Sequence, residues 1–136
     1  MDILEIVTSR ACGLGEKVFC TPNIPQRKLK GAVEGISNSR AKPEEVIAVL
    51  DTTLFGSCDN GVAFTTRAMY FCPLMGDSQE VVYEDMASVS AKGALLKELE
   101  VTTSHGGTIK IEATDFNGKV AAAILGTIIE ARNDER

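Results

Sequence analysis

Residues 119–129, KVAAAILGTII, form the stretch that decides the fold of this chain. Its apolar residues recur at helical spacing and predict one wide apolar helix face: Val120, Ile124, Leu125, Ile128 and Ile129. Asn117 is a suitable N-cap for this helix. Seven strand-like runs precede it: 46–55, 62–65, 69–72, 80–83, 86–90, 94–103 and 108–114. This order predicts a mainly β, α+β fold: a bent antiparallel sheet or partly open barrel of about seven strands, capped by the C-terminal helix.

Turn residues separate these runs. Cys58-Asp59-Asn60-Gly61 is a strong hairpin signal, because Asn and Gly tolerate positive φ. Ser104-His105-Gly106-Gly107 predicts a second hairpin. Residues 108–114 alternate apolar and polar side chains, which is typical of a half-exposed strand. Asp51 and Asp85 are interpreted as residues that hold turn backbone.

The first part of the chain gives a mixed signal. Residues 1–24 are interpreted as an N-terminal extension that begins with a short helix or strand, and residues 13–18 are predicted to be a loop. Asn23 as a cap and Pro25 in the first turn predict a helix over residues 25–36. The charged tail, residues 132–136, is expected to be frayed.

Composition sets limits on the function. The 136 residues fit one domain, and the formal net charge of −5 argues against a nucleic-acid partner. No apolar run is long enough for a transmembrane helix, and the acidic start is unlike a secretory signal. A cytoplasmic protein with four unpaired cysteines is therefore expected.

Basic residues gather before the sheet region, with Glu34 as the only acid between them: Arg27, Lys28, Lys30, Arg40 and Lys42. Such a cluster is either a solvated helix face or a site for an anion or an acidic partner. Methionine and aromatic residues also recur in the central region, either as core or as an adaptable binding face: Met69, Tyr70, Phe71, Met75 and Met86.

Catalytic patterns are missing from the sequence. His105 is the only histidine, and beside two glycines it is interpreted as an exposed turn residue in preference to a general base. Glu84 and Asp85 are adjacent, so in a strand they would point to opposite faces. No nucleophile, zinc or phosphate-loop motif occurs. The prediction is a protein that is not an enzyme and has no cofactor or metal.

Several segments carry a family resemblance: EEVIAVLD (44–51), FGS (55–57), NGVAFTTR (60–67) and YEDM (83–86), preceded by IPQRKL (24–29). Together they resemble bacterial pleckstrin-homology-like (PH-like) domains, over a domain of residues 25–131 that includes the lead-in helix. The resemblance implies a seven-stranded bent sheet capped by the last helix, no catalytic residues, and in some members homo-oligomers. Eukaryotic namesakes often bind phosphoinositides through basic residues near the first hairpin. Residues 57–61 have an acid and no Lys or Arg, so phosphoinositide binding is not supported there.

The sequence thus leads to two functional hypotheses. The first is a non-catalytic binding or assembly module that acts through protein–protein contacts, either with itself as a homo-oligomer or with a partner. An open sheet edge between early strands would be one place for a peptide strand to pair. The alternative is a binder of small ligands or anionic lipids that uses Arg27, Lys28 and Lys30.

Overall fold

The computed structural model of the protein describes residues 2–135. Its strands form two antiparallel sheets. The first has the order β1-β2-β3-β4-β5: β1 (Val18–Cys20), β2 (Val46–Asp51), β3 (Gly61–Thr65), β4 (Ala68–Cys72) and β5 (Gln79–Val82). The second has the order β6-β7-β8: β6 (Met86–Lys92), β7 (Glu98–Thr103) and β8 (Thr108–Glu112).

Three helices complete the described chain: α1 (Ile3–Thr8), α2 (Gln26–Gly31) and α3 (Gly118–Asp134). A π-helical turn, Ala32–Ile36, extends α2, so the helix predicted over residues 25–36 is present. The predicted cap is wrong, because the N-cap is Pro25 and not Asn23. Single 3-10 turns occur at Ala11–Leu14, Pro43–Glu45, Tyr83–Asp85 and Ala94–Leu96. The predicted fold class is confirmed: the protein is α+β, with two antiparallel sheets that do not close into a full barrel and a C-terminal helix packed on them.

The additional strand comes from the N-terminal extension. The sequence predicts about seven strands, whereas the structure has β1 as an eighth, paired with β2 in the register Phe19↔Val49. Residues 13–18 were expected to be a loop, but Ala11–Leu14 forms a 3-10 turn and the strand begins at Val18. Pairing with β1 satisfies backbone groups on the outer side of β2 that would otherwise be left open. The early edge that was expected to accept a peptide is therefore already occupied by the chain itself.

Helix α3 seals the space between the two sheets. The side chain of Asn117 accepts a hydrogen bond from the backbone N–H of Val120 (3.2 Å), which confirms the predicted cap. Ile124, Leu125 and Ile128 are fully buried. They belong to one apolar cluster that includes inward-facing residues of both sheets: Leu50, Phe64, Met69, Leu99, Val101 and Ile111. One continuous core thus makes the two sheets and the helix a single unit.

The helix continues further than the sequence suggests. It runs to Asp134, so residues 132–134 of the tail expected to be frayed are helical. Arg132 explains this extension, because its guanidinium donates hydrogen bonds to the backbone carbonyls of Tyr83 and Met86. Arg136, the last residue of that predicted tail, lies outside the described residues.

The two predicted hairpins differ in their connections. β7 and β8 are joined by the predicted turn of residues 104–107, in which Gly106 has a φ of 87°. β2 and β3 also pair as expected, but their connection spans residues 52–60 and is a long loop. β8 alternates as predicted, with Ile111 buried and Lys110 and Glu112 exposed.

Replacement of Ile128 by alanine tests the sealing role of α3. The substitution removes buried methylene groups and leaves a cavity, so we expect the free energy of unfolding to fall by about 2–5 kcal/mol in urea denaturation. Lys119→Ala, at an exposed position of the same helix, should change it by less than about 0.5 kcal/mol. Equal effects of the two substitutions would contradict a buried helix face.

Candidate binding surfaces

The basic residues predicted as a partner or anion site are used in different ways. Lys28, on α2, donates a hydrogen bond to Asp51 at 2.6 Å and to the backbone carbonyl of Gly56 at 3.1 Å. Its ammonium also lies 5.0 Å from the ring centroid of Phe19. Arg27 donates to the backbone carbonyl of Phe55 at 3.4 Å. Two of the five cations thus hold the β2–β3 loop, which is a structural use of their charge.

The partner of Lys28 is a buried carboxylate. The side chain of Asp51 is fully buried, and its Oδ1 accepts hydrogen bonds from the backbone N–H and the hydroxyl of Thr53 at 2.9 Å and 2.5 Å. Burial by itself raises the pKa of Asp51, but the hydrogen bonds from Lys28 and Thr53 outweigh it and hold the pKa below its usual value. The predicted turn-holding role of Asp51 is confirmed.

Arg40 faces a different part of the molecule. It donates hydrogen bonds to the backbone carbonyls of Ser37 and Ser78 and lies 5.4 Å from the ring centroid of Tyr70. Lys30 and Lys42 are exposed. Lys30 borders a shallow groove beside α2 with Arg27 and Glu34. The five basic side chains therefore divide between the β2–β3 loop, the end of the π-helical turn and open solvent.

A second surface is formed where the loops of the first sheet meet. The registers Asp51↔Gly61 and Gly61↔Cys72 place the end of β2, the start of β3 and the end of β4 side by side. The loops of residues 52–60 and 73–78 therefore leave the sheet at the same end. A hydrogen bond of 2.8 Å from the side chain of Asn60 to the backbone carbonyl of Pro73 joins them.

The second sheet contributes two more connections to this end. The registers Lys92↔Glu98 and Glu98↔Glu112 align residues 93–97 with residues 113–117. Phe116, in the latter connection, packs its ring against that of Phe71 at the end of β4, with centroids 5.1 Å apart. Four connections from both sheets thus converge at one end of the molecule.

Large apolar side chains are exposed on three of these connections, and we call this surface the apolar loop end. Its members and exposed fractions are Leu54 (82%), Phe55 (83%), Leu74 (57%), Met75 (98%), Leu95 (84%) and Leu96 (42%). Among the described residues, Leu4 is the remaining large hydrophobic side chain with comparable exposure. Exposed apolar groups concentrated in one region are typical of an interaction site.

The charges beside the apolar loop end have both signs. Asp59, Asp77 and Asp115 are exposed in the four converging connections, which also contain Lys97. Lys119, at the start of α3, lies beside Leu95 and Leu96, and Arg27 reaches the loop backbone from α2. The surface therefore combines protruding apolar side chains with a surround of mixed charge.

The loop of residues 52–60 packs against α2 and its π-helical extension. A Cβ at Gly31 would lie 1.9 Å from the backbone oxygen of Ser57, and one at Gly35 would lie 2.4 Å from that of Asp59. The two glycines, which weaken the predicted helix, thus allow the loop to pack against it. The hydroxyl of Thr53 also accepts a hydrogen bond from the backbone N–H of Cys58 (3.3 Å).

The candidates for catalysis stay apart from one another. His105 is exposed in the β7–β8 turn, in agreement with the interpretation as a turn residue. The backbone carbonyl of Asp85 accepts hydrogen bonds from the backbone and side chain of Ser104, so the main chain of Asp85 contributes to this contact. Burial raises the pKa of the Cys58 thiol to about 12, which makes it unreactive. The described residues contain no cluster of metal-ligating side chains.

Part of the apolar loop end escaped sequence reasoning. Residues 46–55 and 94–103 were predicted as single strands, but Leu54 and Phe55 follow β2, and Ala94–Leu96 is a 3-10 turn before β7. Of the methionine and aromatic group, Met69 and Met86 are core residues, whereas Met75 is exposed at a loop tip. The sequence signal that could have revealed these exposed residues is the presence of apolar residues next to Gly, Ser and Asp in the connections between strands.

Comparison with protein families, with curated proteins and with solved structures finds no match for this chain. The resemblance to bacterial PH-like domains therefore stays a prediction, whereas the fold class is established by the structure. Among the described residues, no helix has both the length and the apolar character that crossing a bilayer requires.

Removal of the Lys28 ammonium tests the buried pair. Lys28→Met leaves the Asp51 carboxylate without its counter-charge, so we expect a loss of about 3–5 kcal/mol in the free energy of unfolding at pH 7. The pKa of Asp51 is lower in the folded state than its unfolded value of about 3.9. The contribution of the pair is therefore complete above that pH and is lost as the pH falls through the folded pKa.

Urea denaturation between pH 3 and pH 7 measures this effect. The difference between the wild type and Lys28→Met should shrink toward acid pH, because Asp51 becomes protonated. Lys30→Met, an exposed lysine on the same helix, provides the matched control and should stay near the wild type throughout. A pH-independent difference would show that Lys28 contributes through packing alone.

Proposed function

We propose that this protein is a non-catalytic, PH-like binding module that acts through protein–protein contact at the apolar loop end. The observation that carries the proposal is the convergence of Leu54, Phe55, Leu74, Met75, Leu95 and Leu96 at one end of the sheets. Free thiols at Cys12, Cys20, Cys58 and Cys72 suit a reducing compartment, and a cytoplasmic location is part of the proposal.

Burial of these side chains supplies the driving force. Transfer of one large apolar side chain from water to a packed interface is worth roughly 1.5–3 kcal/mol. Leu54 and Phe55 are held by a loop that α2 and the Lys28–Asp51 pair support. A supported loop loses little conformational entropy on binding, so more of the burial energy is available for affinity.

The charges around the contact have both signs. Asp59, Asp77 and Asp115 would face Lys or Arg at the rim of a partner's apolar patch, and Lys97 and Lys119 would face its acids. The net charge of −5 opposes contact with an anionic bilayer.

The alternative that relies on Arg27, Lys28 and Lys30 has weaker support. Lys28 is neutralised by a carboxylate 2.6 Å away, and Arg27 is directed to a loop carbonyl. Lys30 is the remaining exposed cation of the three that has no such contact in the described chain. A single solvated lysine provides too little charge for an anionic lipid or phosphate site.

A photo-cross-linking experiment tests the proposal in the cells that produce this protein. A benzophenone amino acid placed at position 55 should give one discrete protein adduct, whereas the same group at Glu112, exposed on β8, should not. Met75→Glu should reduce the adduct by about tenfold or more, because the contact then buries a new charge. The substitution lies on an exposed loop and should change the free energy of unfolding by less than about 0.5 kcal/mol.

The identity and sequence of the cross-linked segment decide the interpretation. An apolar segment of another protein, flanked by charged residues, would support the proposal. A dimer of this chain would instead assign the contact to self-association. Flotation of the purified protein with vesicles that contain anionic lipid, abolished by Met75→Glu, would assign the loop end to a membrane and overturn the protein-partner proposal.

A further inference from the structure

A separate cleft opens at the other end of the sheets, on the side of the β3–β4 and β5–β6 turns. Its volume is about 810 Å³, which exceeds what a single inorganic anion fills and lies in the range of ligand pockets. Three arginines from different elements line it, and we call it the guanidinium cleft: Arg40 after the π-helical turn, Arg67 in the β3–β4 turn, and Arg132 near the end of α3. The neighbouring rings and side chains of Tyr70, Val82 and Tyr83 add an apolar floor.

Arg67 and Arg132 are both hydrogen-bonded to the main chain of Tyr83. The carbonyl of Arg67 accepts a hydrogen bond from the backbone N–H of Tyr83 at 3.0 Å. The carbonyl of Tyr83 in turn accepts one from the guanidinium of Arg132. These contacts bring the β3–β4 turn and the last turn of α3 together beside the C-terminal end of β5.

Among residues 2–135, no carboxylate forms an ion pair with Arg132. Its two terminal nitrogens donate to main-chain carbonyls, and its buried Nε has no hydrogen-bond partner in the described part of the chain. Arg67 uses its Nε on Glu45 at 2.9 Å, but its side chain is 66% exposed. A guanidinium has five donors, so Arg67 keeps the N–H groups of its terminal nitrogens for a ligand, whereas the Nε–H of Arg132 is buried out of a ligand's reach.

The carboxylates of the cleft lie mainly toward its other side or its rim. Glu80 stands 4.0 Å from Arg40, which offsets the charge of that arginine. Glu84 and Glu135 also line the cleft and are exposed, so water screens them. Since Arg67 is paired with Glu45, the positive charge without an ion-pair partner among the described residues is that of Arg132.

The cleft borders the outer edge of β5. The side chain of Gln79, at the start of this edge, donates a hydrogen bond to the backbone carbonyl of Lys110 on β8 (3.2 Å), and the edge beyond Gln79 is open among the described residues. β5 pairs with β4 on one side. The hydrogen bond from the backbone N–H of Tyr83 to the carbonyl of Arg67 shows which residues of the two strands exchange backbone hydrogen bonds. Because bonded and non-bonded pairs alternate in an antiparallel ladder, the backbone N–H and C=O of Glu80 and Val82 point away from β4. Neither residue has another backbone hydrogen bond among the described contacts.

From this juxtaposition we propose that an extended acidic peptide binds as an additional strand along β5. Its main chain pairs with the outward N–H and C=O of Glu80 and Val82. One of its carboxylates lies between Arg67 and Arg132, where it balances the charge of Arg132 and accepts hydrogen bonds from Arg67. Edge pairing supplies affinity and the guanidinium groups select an acidic side chain. This site is independent of the apolar loop end.

Fluorescence anisotropy with synthetic labelled peptides tests the proposal on the full chain. A peptide of alternating Glu and Val should bind, and the corresponding Gln/Val and Lys/Val peptides should bind about tenfold more weakly or not at all. Arg67→Gln should weaken the Glu/Val peptide by about tenfold, because it removes the accessible guanidinium. Lys119→Gln removes an equal charge from the exposed start of α3, at the apolar loop end, and should leave the affinity unchanged.

Val82→Pro tests the main-chain part of the site. Val82 has a φ of −81°, which proline tolerates, and its N–H points out of the sheet, so the substitution removes one donor without breaking the ladder. We expect about tenfold weaker binding. Val82→Ala keeps the donor and should bind like the wild type, and circular dichroism of both variants checks that they fold.

Three results would overturn the inference. They are equal binding of the Glu/Val and Lys/Val peptides, full affinity of Arg67→Gln, and full affinity of Val82→Pro. Amide chemical shifts locate the peptide: changes at Glu80 and Val82 support the proposal, whereas changes confined to the apolar loop end contradict it. Because Met75→Glu should have no effect here, failure of this proposal and failure of the protein-partner proposal are distinguishable.

Discussion

The interaction on which the rest of the structure depends is the burial of one face of α3 between two sheets. Neither sheet closes on itself, so each has an inner face that would otherwise meet water. Ile124, Leu125 and Ile128 fill that space together with residues from both sheets. Because the chain has no tryptophan and few aromatic residues, this aliphatic packing provides most of the core.

A sheet arrangement of this kind leaves two ends with different chemistry. At one end the long connections place apolar side chains in water, and at the other the short turns bring Arg67, Tyr83 and Arg132 together. Both ends rest on rigid elements, since the first is held by α2 and the second by the last turns of α3. The molecule thus offers two separate surfaces for the two contacts proposed above.

The sequence predicts those parts of the fold that depend on local periodicity. The α3 stripe, the Asn117 cap and the alternation of β8 each follow from the spacing of a few neighbouring residues. The extension was harder to predict, because Val18–Cys20 becomes a strand only by pairing with β2, which is distant in the chain. The same holds for Lys28: charge alone suggested a binding patch, and only the fold shows that the residue faces Asp51.

The glycines of the lead-in helix show why such sites resist prediction. Within a helix, Gly31 and Gly35 are unfavourable, and their cost is about 1 kcal/mol each relative to alanine. The structure gives the reason for their presence, because the backbone of residues 57–59 passes where a Cβ would stand. That close approach lets Lys28 reach both Asp51 and the carbonyl of Gly56. A local weakness in the helix is therefore what fixes the loop that presents Leu54 and Phe55 to solvent.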